Sequence, residues 1–160
     1  MTTDTPIRVR QAEATDAPAL AAVLHDTFES TWRPNVTVAD AEAFRREDRP
    51  SQYVTERGLD FWVAERAGEV VGLVHWEGDF VHALHVRGAD ARSGVGGALM
   101  DHAEAEIAAA GFAAARLETD TFNLASQAFY RARGYREAGR YPDEQWNSGL
   151  TTILLVKALS

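Results

Sequence analysis

Three glycines, Gly94, Gly96 and Gly97, follow a β-prone run, Phe80–Val86, and stand where an apolar, helix-forming stretch opens. The order strand, glycine-rich turn, helix makes an anion cradle. A turn without side chains cannot screen its backbone N–H groups from an anion. The helix N-terminus adds free N–H groups and a favourable dipole. A tight turn needing glycine only for its conformation would use the same residues. Two phosphate loops are excluded. Ala98 follows Gly96-Gly97 where a P-loop requires lysine, and Leu99 stands where G-x-G-x-x-G requires its third glycine.

The other chemistry-bearing residues are scattered along expected strands. His75, His82 and His85 lack the spacing of a metal cluster, and His85, three residues from His82, is expected on the opposite face. No metal site is expected. Glu77, Glu118 and Asp120 are carboxylates able to accept a proton through water, or to stand as solvated strand ends. Phe28, Trp32, Trp62, Trp76, Tyr141 and Trp146, with Asp143 and Glu144, could hold a cationic amine or simply pack.

Elements must position these groups. Ile7 to Gln11 alternates as a strand. Thr15 can cap a helix with Pro18 in its first turn and a stripe at Leu20, Val23, Leu24 and Phe28. Asp40 to Arg46 is a second helical segment, and Pro50 and Gly58 bracket a third stretch. Phe61 to Glu65 and Val70 to Glu77 read as strands joined at Ala67-Gly68, followed across Gly78-Asp79 by Phe80 to Val86. After the glycine loop, Val95, Leu99, Ala103, Ile107 and Ala110 form a helical stripe that Gly111 can end. Ala115 to Asp120 alternates, Leu124 to Arg133 is a short helix that Asn123 can cap and Gly134 ends, and Tyr135 to Tyr141 and Leu150 to Lys157 are closing strands. Strands, helices and hairpins in this order predict a mixed-sheet α/β or α+β domain. It spans 7–160 with a short tail at 1–6.

Composition narrows the function. Apolar content of 46% in 160 residues suffices for a core. The net charge of −8, with arginines interleaved among acids, argues against a nucleic-acid partner. No stretch approaches the ~20 apolar residues of a membrane span. Met1 to Pro6 lacks the features of a signal peptide. The absence of cysteine excludes disulfides and thiolate ligands and predicts a reducing, cytoplasmic location. Edge strands and exposed apolar residues are compatible with a homodimer.

Two blocks carry a resemblance. Leu84-x-Val86, then Arg92-Ser93-Gly94-Val95-Gly96-x-x-Leu99, resembles the acyl-CoA loop of the GCN5-related N-acetyltransferases, whose pattern is roughly Q/R-x-x-G-x-G/A. Asn123, Phe129-Tyr130 and Gly134-Tyr135 are similar to that family's second segment, as Ile7-Arg8, Ala12 and Asp16 to Leu20 are to its opening strand and helix. The similarity runs from about Ile7 to the end. In two places the chain departs from the pattern. Ala91 stands at the Q/R position, with Arg92 beside it as a substitute, and Ser126 replaces an alanine.

The resemblance implies the acyl-CoA N-acyltransferase fold: a central, twisted, mostly antiparallel sheet with splayed strands and flanking helices. It implies an enzyme that transfers acetyl from acetyl-CoA, its cosubstrate, to a primary amine of a small molecule or peptide. With no cysteine to carry an acyl group, direct attack in a ternary complex is expected. The cofactor would lie against Leu84, Val86, Arg92, Ser93, Gly94, Val95, Gly96, Gly97, Asn123, Ser126 and Tyr130. Tyr130 falls where the family places the acid for the departing thiolate. The strand carboxylate some members use as base falls on Phe80, but His82 shares its face. The run His82–Val86 is similar to the histidine-bearing strand of arylalkylamine N-acetyltransferases, so Tyr130 and His82 are the catalytic candidates. Two other classes use the same residues: a non-catalytic acyl-CoA-binding sensor or interaction module, and a nucleotide-binding protein, which the missing Lys-Ser/Thr argues against.

Overall fold

The computed structural model describes residues 6–28, 39, 42, 49–91, 93–121, 123–142 and 151–159. Among them β1 is Arg8–Gln11, α1 Ala17–Thr27, α2 Arg49–Arg57, β2 Trp62–Arg66, β3 Glu69–Glu77 and β4 Phe80–Val86. Then come α3 Val95–Ala109, β5 Ala114–Asp120, α4 Leu124–Ala132, β6 Arg136–Pro142 and β7 Thr151–Ala158. The strands form one seven-stranded sheet in the order β1-β2-β3-β4-β5-β7-β6. Every neighbouring pair is antiparallel except β4 and β5. This is the expected mixed α/β fold. The helix expected over Asp40 to Arg46 lies, save for Glu42, outside the described residues.

Each face of the sheet buries one apolar stripe. Leu20, Val23 and Leu24 of α1 and Val54 of α2 pack with Phe61, Val63, Leu73 and Ala83. On the other face Val95, Leu99, Met100, Ala103 and Ile107 of α3 pack with Val74, Val81, Leu117, Ile153 and Leu155, and Tyr130 of α4 joins them. The positions follow the period of 3.6 along the helices, so each helix turns one apolar side to the sheet. Thr15 does not cap α1. It lies inside a 3-10 turn, Ala14–Asp16, in which the Glu13 N–H donates to Asp16 Oδ2 at 2.7 Å. Arg10 donates two hydrogen bonds of 2.8 and 2.9 Å to the same carboxylate, and Asp16 stands at the N-cap position of α1 without a side-chain bond to the helix.

Two irregularities shape the centre. First, β4 and β5 have seven residues each but pair only at Phe80 with Arg116 and Val81 with Leu117. Beyond Val81 they part, and β5 continues against β7 alone. Second, β4 bulges opposite β3. His75 pairs with Ala83 and Trp76 with Val81, leaving His82 without an opposite residue. The outer edges are short or charged. β1 has four residues, and β6 exposes Arg136, Glu137, Arg140 and Pro142.

A buried carboxylate links the elements that follow. Glu104 of α3 is 8% exposed and accepts from Tyr135 Oη at 3.1 Å, Arg133 Nη2 at 3.2 Å and Lys157 Nζ at 2.5 Å. Arg133 also reaches Asp101 at 2.7 Å. These bonds fasten α3 to the end of α4 and to β7.

Gly72 sets how closely α3 approaches β3. A Cβ there would lie 3.0 Å from the His85 carbonyl oxygen, 3.0 Å from Val95 Cγ1 and 3.1 Å from Leu99 Cδ1. Gly72→Val should therefore destabilise the protein by about 2 kcal/mol, as overpacking does. Urea unfolding measures it, and an unchanged midpoint would contradict this seating of α3.

Candidate active site

The glycine turn opens α3. Gly94 holds φ at +90°, a conformation side chains disfavour, and the helix starts at the next residue. The first intrahelical bond runs from the Ala98 N–H to Gly94 O at 3.0 Å, so the N–H groups of Val95, Gly96 and Gly97 have no acceptor within the helix. A Cβ on Gly96 would come within 3.3 Å of Phe129 of α4, and one on Gly97 within 3.7 Å of Arg133. Gly96 thus lets Phe129 of α4 pack closely against the first turn of α3.

The loop before the helix is built on Asp90. Arg87 Nε donates to Asp90 Oδ2 at 2.8 Å, and the Ser93 hydroxyl donates to the Asp90 carbonyl. Gly88 N–H donates to Asp26 Oδ2 of α1 at 2.7 Å. Arg66 of β2 reaches across to Ser93 Oγ and Ser93 O, both at 3.0 Å. Arg92 lies outside the described residues.

The free edge of β4 follows from the sheet. Arg87 N–H donates to Val71 O of β3 at 2.8 Å. Backbone direction alternates along a strand, so the amides of Val86 and Leu84 point the other way, into the opening that β5 leaves. An open wedge with outward amides can take a ligand as a strand takes its neighbour.

Helix α4 closes the wedge. Asn123 caps it, its side chain accepting from the Ser126 N–H at 3.1 Å, as expected. Ser126 Oγ accepts from Thr119 Oγ1 of β5 at 2.9 Å, which occupies the hydroxyl that replaces an alanine methyl. Gln127 Nε2 donates to the Asp120 and Thr121 carbonyls at 3.0 and 3.1 Å, a tie between α4 and the end of β5 without a sequence signal. Tyr130 is buried between Phe129 and Tyr135, ring centroids 5.1 and 5.6 Å away. Burial raises its hydroxyl well above the usual phenol range, so it remains protonated.

A titratable group forms on the opposite face. The bulge turns His82 to the side of His75, and the rings stack at 5.4 Å. Glu77 lies between them, Oε1 3.6 Å from His75 Nε2 and Oε2 3.8 Å from His82 Nε2, with Arg57 Nη1 3.3 Å from Oε1. His75 is buried and shares a 2.6 Å hydrogen bond with Tyr53 Oη. Burial, then the nearby His82, lowers its basicity. His85 lies opposite Leu73 of the α1 face. The expected separation of His82 and His85 onto opposite faces is therefore corrected, since the bulge breaks the alternation between them. Among the described residues no cluster has the arrangement of a metal site.

The aromatic candidates divide. Trp62 and Trp76 pack around His102 of α3, centroids 4.0 and 5.9 Å away, and Phe28 is buried, so all three are packing residues. Tyr141 is exposed beside the wedge, its hydroxyl bonded to the Glu118 carboxylate. Trp32, Asp143, Glu144 and Trp146 lie outside the described residues. Among the described residues no helix is long and apolar enough to cross a membrane.

Comparison with known proteins agrees with this geometry. The model of the Acetyltransferase (GNAT) family matches residues 22–135. A blasticidin-S acetyltransferase of Streptomyces morookaense is 36% identical over 95 residues, 59% of this chain and 68% of that protein. A GCN5-related N-acetyltransferase of Rhodopseudomonas palustris superposes with a TM-score of 0.80 at 22% identity, covering 99% of this chain and 98% of that one. The PaiA N-acetyltransferase of Thermoplasma acidophilum, solved in complex with coenzyme A, superposes with a TM-score of 0.76 at 17% identity, covering 96% and 99%. At these identities the two structures are similar in fold.

The site strand should also report on pH. His85 Nδ1 is buried without a hydrogen-bond partner, and burial pushes the ring down to about 4. A histidine in the unfolded chain titrates near ~6.5. Between those values the unfolded chain binds a proton that the folded chain does not, so stability falls as pH drops from ~6.5 towards 4. His85 should contribute about 3 kcal/mol of that loss. His75 adds in the same direction. Urea midpoints at stepped pH should show a shallower decline in His85→Leu, and identical slopes would rule out a buried neutral His85.

Proposed function

The chain belongs to the GNAT family of acetyltransferases, and from that membership we propose that it moves an acetyl group from acetyl-CoA to a primary amine by direct attack in a ternary complex. The observation that carries this reading is the early parting of β4 from β5 beside the unpaired amides of α3.

Each feature has a part in the reaction. The N–H groups from Gly94 to Gly97 receive the pyrophosphate, helped by the helix dipole. Arg92 and Ser93 belong to the same loop. The edge of β4 at Leu84 and Val86 binds the pantetheine arm, and an amide there donates to the thioester oxygen as it gains negative charge. Asn123 and Ser126 line the other wall from α4. The attacking amine must be neutral. His82 takes the ammonium proton, directly or through water, and Glu77 Oε2 lies 3.8 Å from its Nε2. Attack forms the C–N bond, the nitrogen loses its second proton to water, and as the C–S bond breaks the Tyr130 hydroxyl protonates the departing sulfur and is itself reprotonated from solvent. With no cysteine in the chain, no acyl-enzyme forms on a thiol.

The acceptor is a small-molecule or peptide amine. The name of the Streptomyces relative makes blasticidin S the first compound to offer. The open face beside Glu77, Glu118 and Tyr141 suits a cationic amine, since exposed carboxylates attract it and an aromatic ring can stack on it.

Thermal unfolding with acetyl-CoA, CoA or ATP tests the cosubstrate. A ligand at ~100 times its Kd adds about 2.7 kcal/mol, which raises Tm by several degrees in a domain of this size. Both CoA compounds should do so and ATP should not. Catalysis is tested by Tyr130→Phe, which should lower kcat about 100-fold with acetyl-CoA affinity unchanged. A variant as fast as the wild type would leave a binding module. His82→Gln should flatten the acidic limb of the kcat/KM profile, and an unaltered limb would remove His82 from the proton path.

A further inference from the structure

The loop lacks a long polar side chain at position 91, where Ala91 stands exposed. A guanidinium nonetheless reaches it from another strand. Arg66 ends β2, and its Nη1 and Nη2 bond Ser93 Oγ and Ser93 O, both at 3.0 Å, with Asp90 Oδ1 3.5 Å from Nη1. The Arg66 side chain is 23% exposed, and its Nε is buried without a hydrogen-bond partner. A side chain 27 residues away thus takes the loop residue just before the left-handed Gly94 at both its hydroxyl and its carbonyl.

The carbonyl contact has a directional consequence. The peptide bonds are trans. A trans peptide points its C=O and its N–H in opposite directions. Drawing the Ser93 carbonyl towards β2 turns the Gly94 N–H away from β2. That amide then extends by one the row of free N–H groups of Val95, Gly96 and Gly97. Asp90 holds the other side of the clamp, paired with Arg87 at 2.8 Å. The loop is set between two arginines carried by the sheet.

We propose that Arg66 is a positioning residue for the pyrophosphate of acyl-CoA. By fixing the Ser93–Gly94 peptide it presents the cradle amides, doing from β2 what no side chain at position 91 can do. This deepens the acetyl-CoA reading and rests on it. The arginine acts through Ser93 and does not touch the thioester.

Isothermal titration of acetyl-CoA and of acetyl-pantetheine, which has the same thioester but no pyrophosphate, separates this role from general support of the fold. The proteins are the wild type, Arg66→Met and Arg66→Lys, with Ser93→Ala to remove only the hydroxyl contact. Arg66→Met should weaken acetyl-CoA about tenfold or more, the scale of a lost charge-assisted hydrogen bond. Its affinity for acetyl-pantetheine should be unchanged. Arg66→Lys should recover part of the loss, since an ammonium keeps one contact but not the fork. Ser93→Ala should lose less than Arg66→Met, because the carbonyl contact survives. Full acetyl-CoA affinity in Arg66→Met, or equal weakening of both ligands, overturns the proposal. Failure of the wild type to bind acetyl-CoA at all would overturn the functional reading beneath it.

Discussion

A backbone amide left without a partner has to be paid for, and the centre of this sheet leaves several. β4 and β5 close two residue pairs and then separate. The rest of the molecule is arranged around that gap. α3 and α4 lie on one side of it, and α1 and α2 cover the half-sheet on the other. The half formed by β1 to β4 and the half formed by β5 to β7 are each paired along their strands, with bulges, while the seam between them is short. The helices compensate. α3 packs against residues of both halves, with Val74 and Val81 from one and Leu117, Ile153 and Leu155 from the other. A ligand bound in the opening as proposed would supply the hydrogen bonds that a continued strand pair would have made.

The bulge at His82 is the second half of the same arrangement. An extra residue increases local twist and re-aims the side chains on either side of it. Here it puts Val81 and Leu84 on the α3 face, while His82 and Ala83 both face away from it. His82 and Tyr130 therefore lie on opposite faces of the sheet. A thioester passing through the gap would meet an amine from one side and have its sulfur met from the other. Rotating the whole strand could not achieve this separation, but one inserted residue can.

Much of this was legible in the sequence. The glycine turn was, because a left-handed residue before a helix and a close neighbour at Gly96 both demand small residues. The strands were, because β3 and β4 are rich in β-forming residues and β5 alternates apolar with charged ones. The Asn123 cap was, because its partner lies three residues away. Features that depend on non-local geometry were not. The bulge reverses the alternation from which the faces were inferred, so His85 was assigned to the wrong side. Arg66 meets Ser93 only after β2, β3 and β4 have been laid side by side. Glu104 reads as a polar position on a helix, and its partners Tyr135 and Lys157 come from elements that fold over it later in the chain. Trp62 and Trp76 had a residue type suited to holding amines, but the ring between them is His102.

The sheet's outer strands bear on how the protein behaves in concentrated solution. An open sheet edge offers unpaired amides to any passing strand. At one end β1 is four residues long, and its Arg10 is committed to Asp16 and Glu65. At the other, β6 carries a Glu137–Arg140 pair at 2.8 Å and ends at Pro142, which has no N–H to donate. A second copy adding itself edge to edge would have to strip water from those charges and align against a residue that cannot pair. The sheet thus leaves its strand pairing unfinished between β4 and β5 and makes strand addition unfavourable at its two rims.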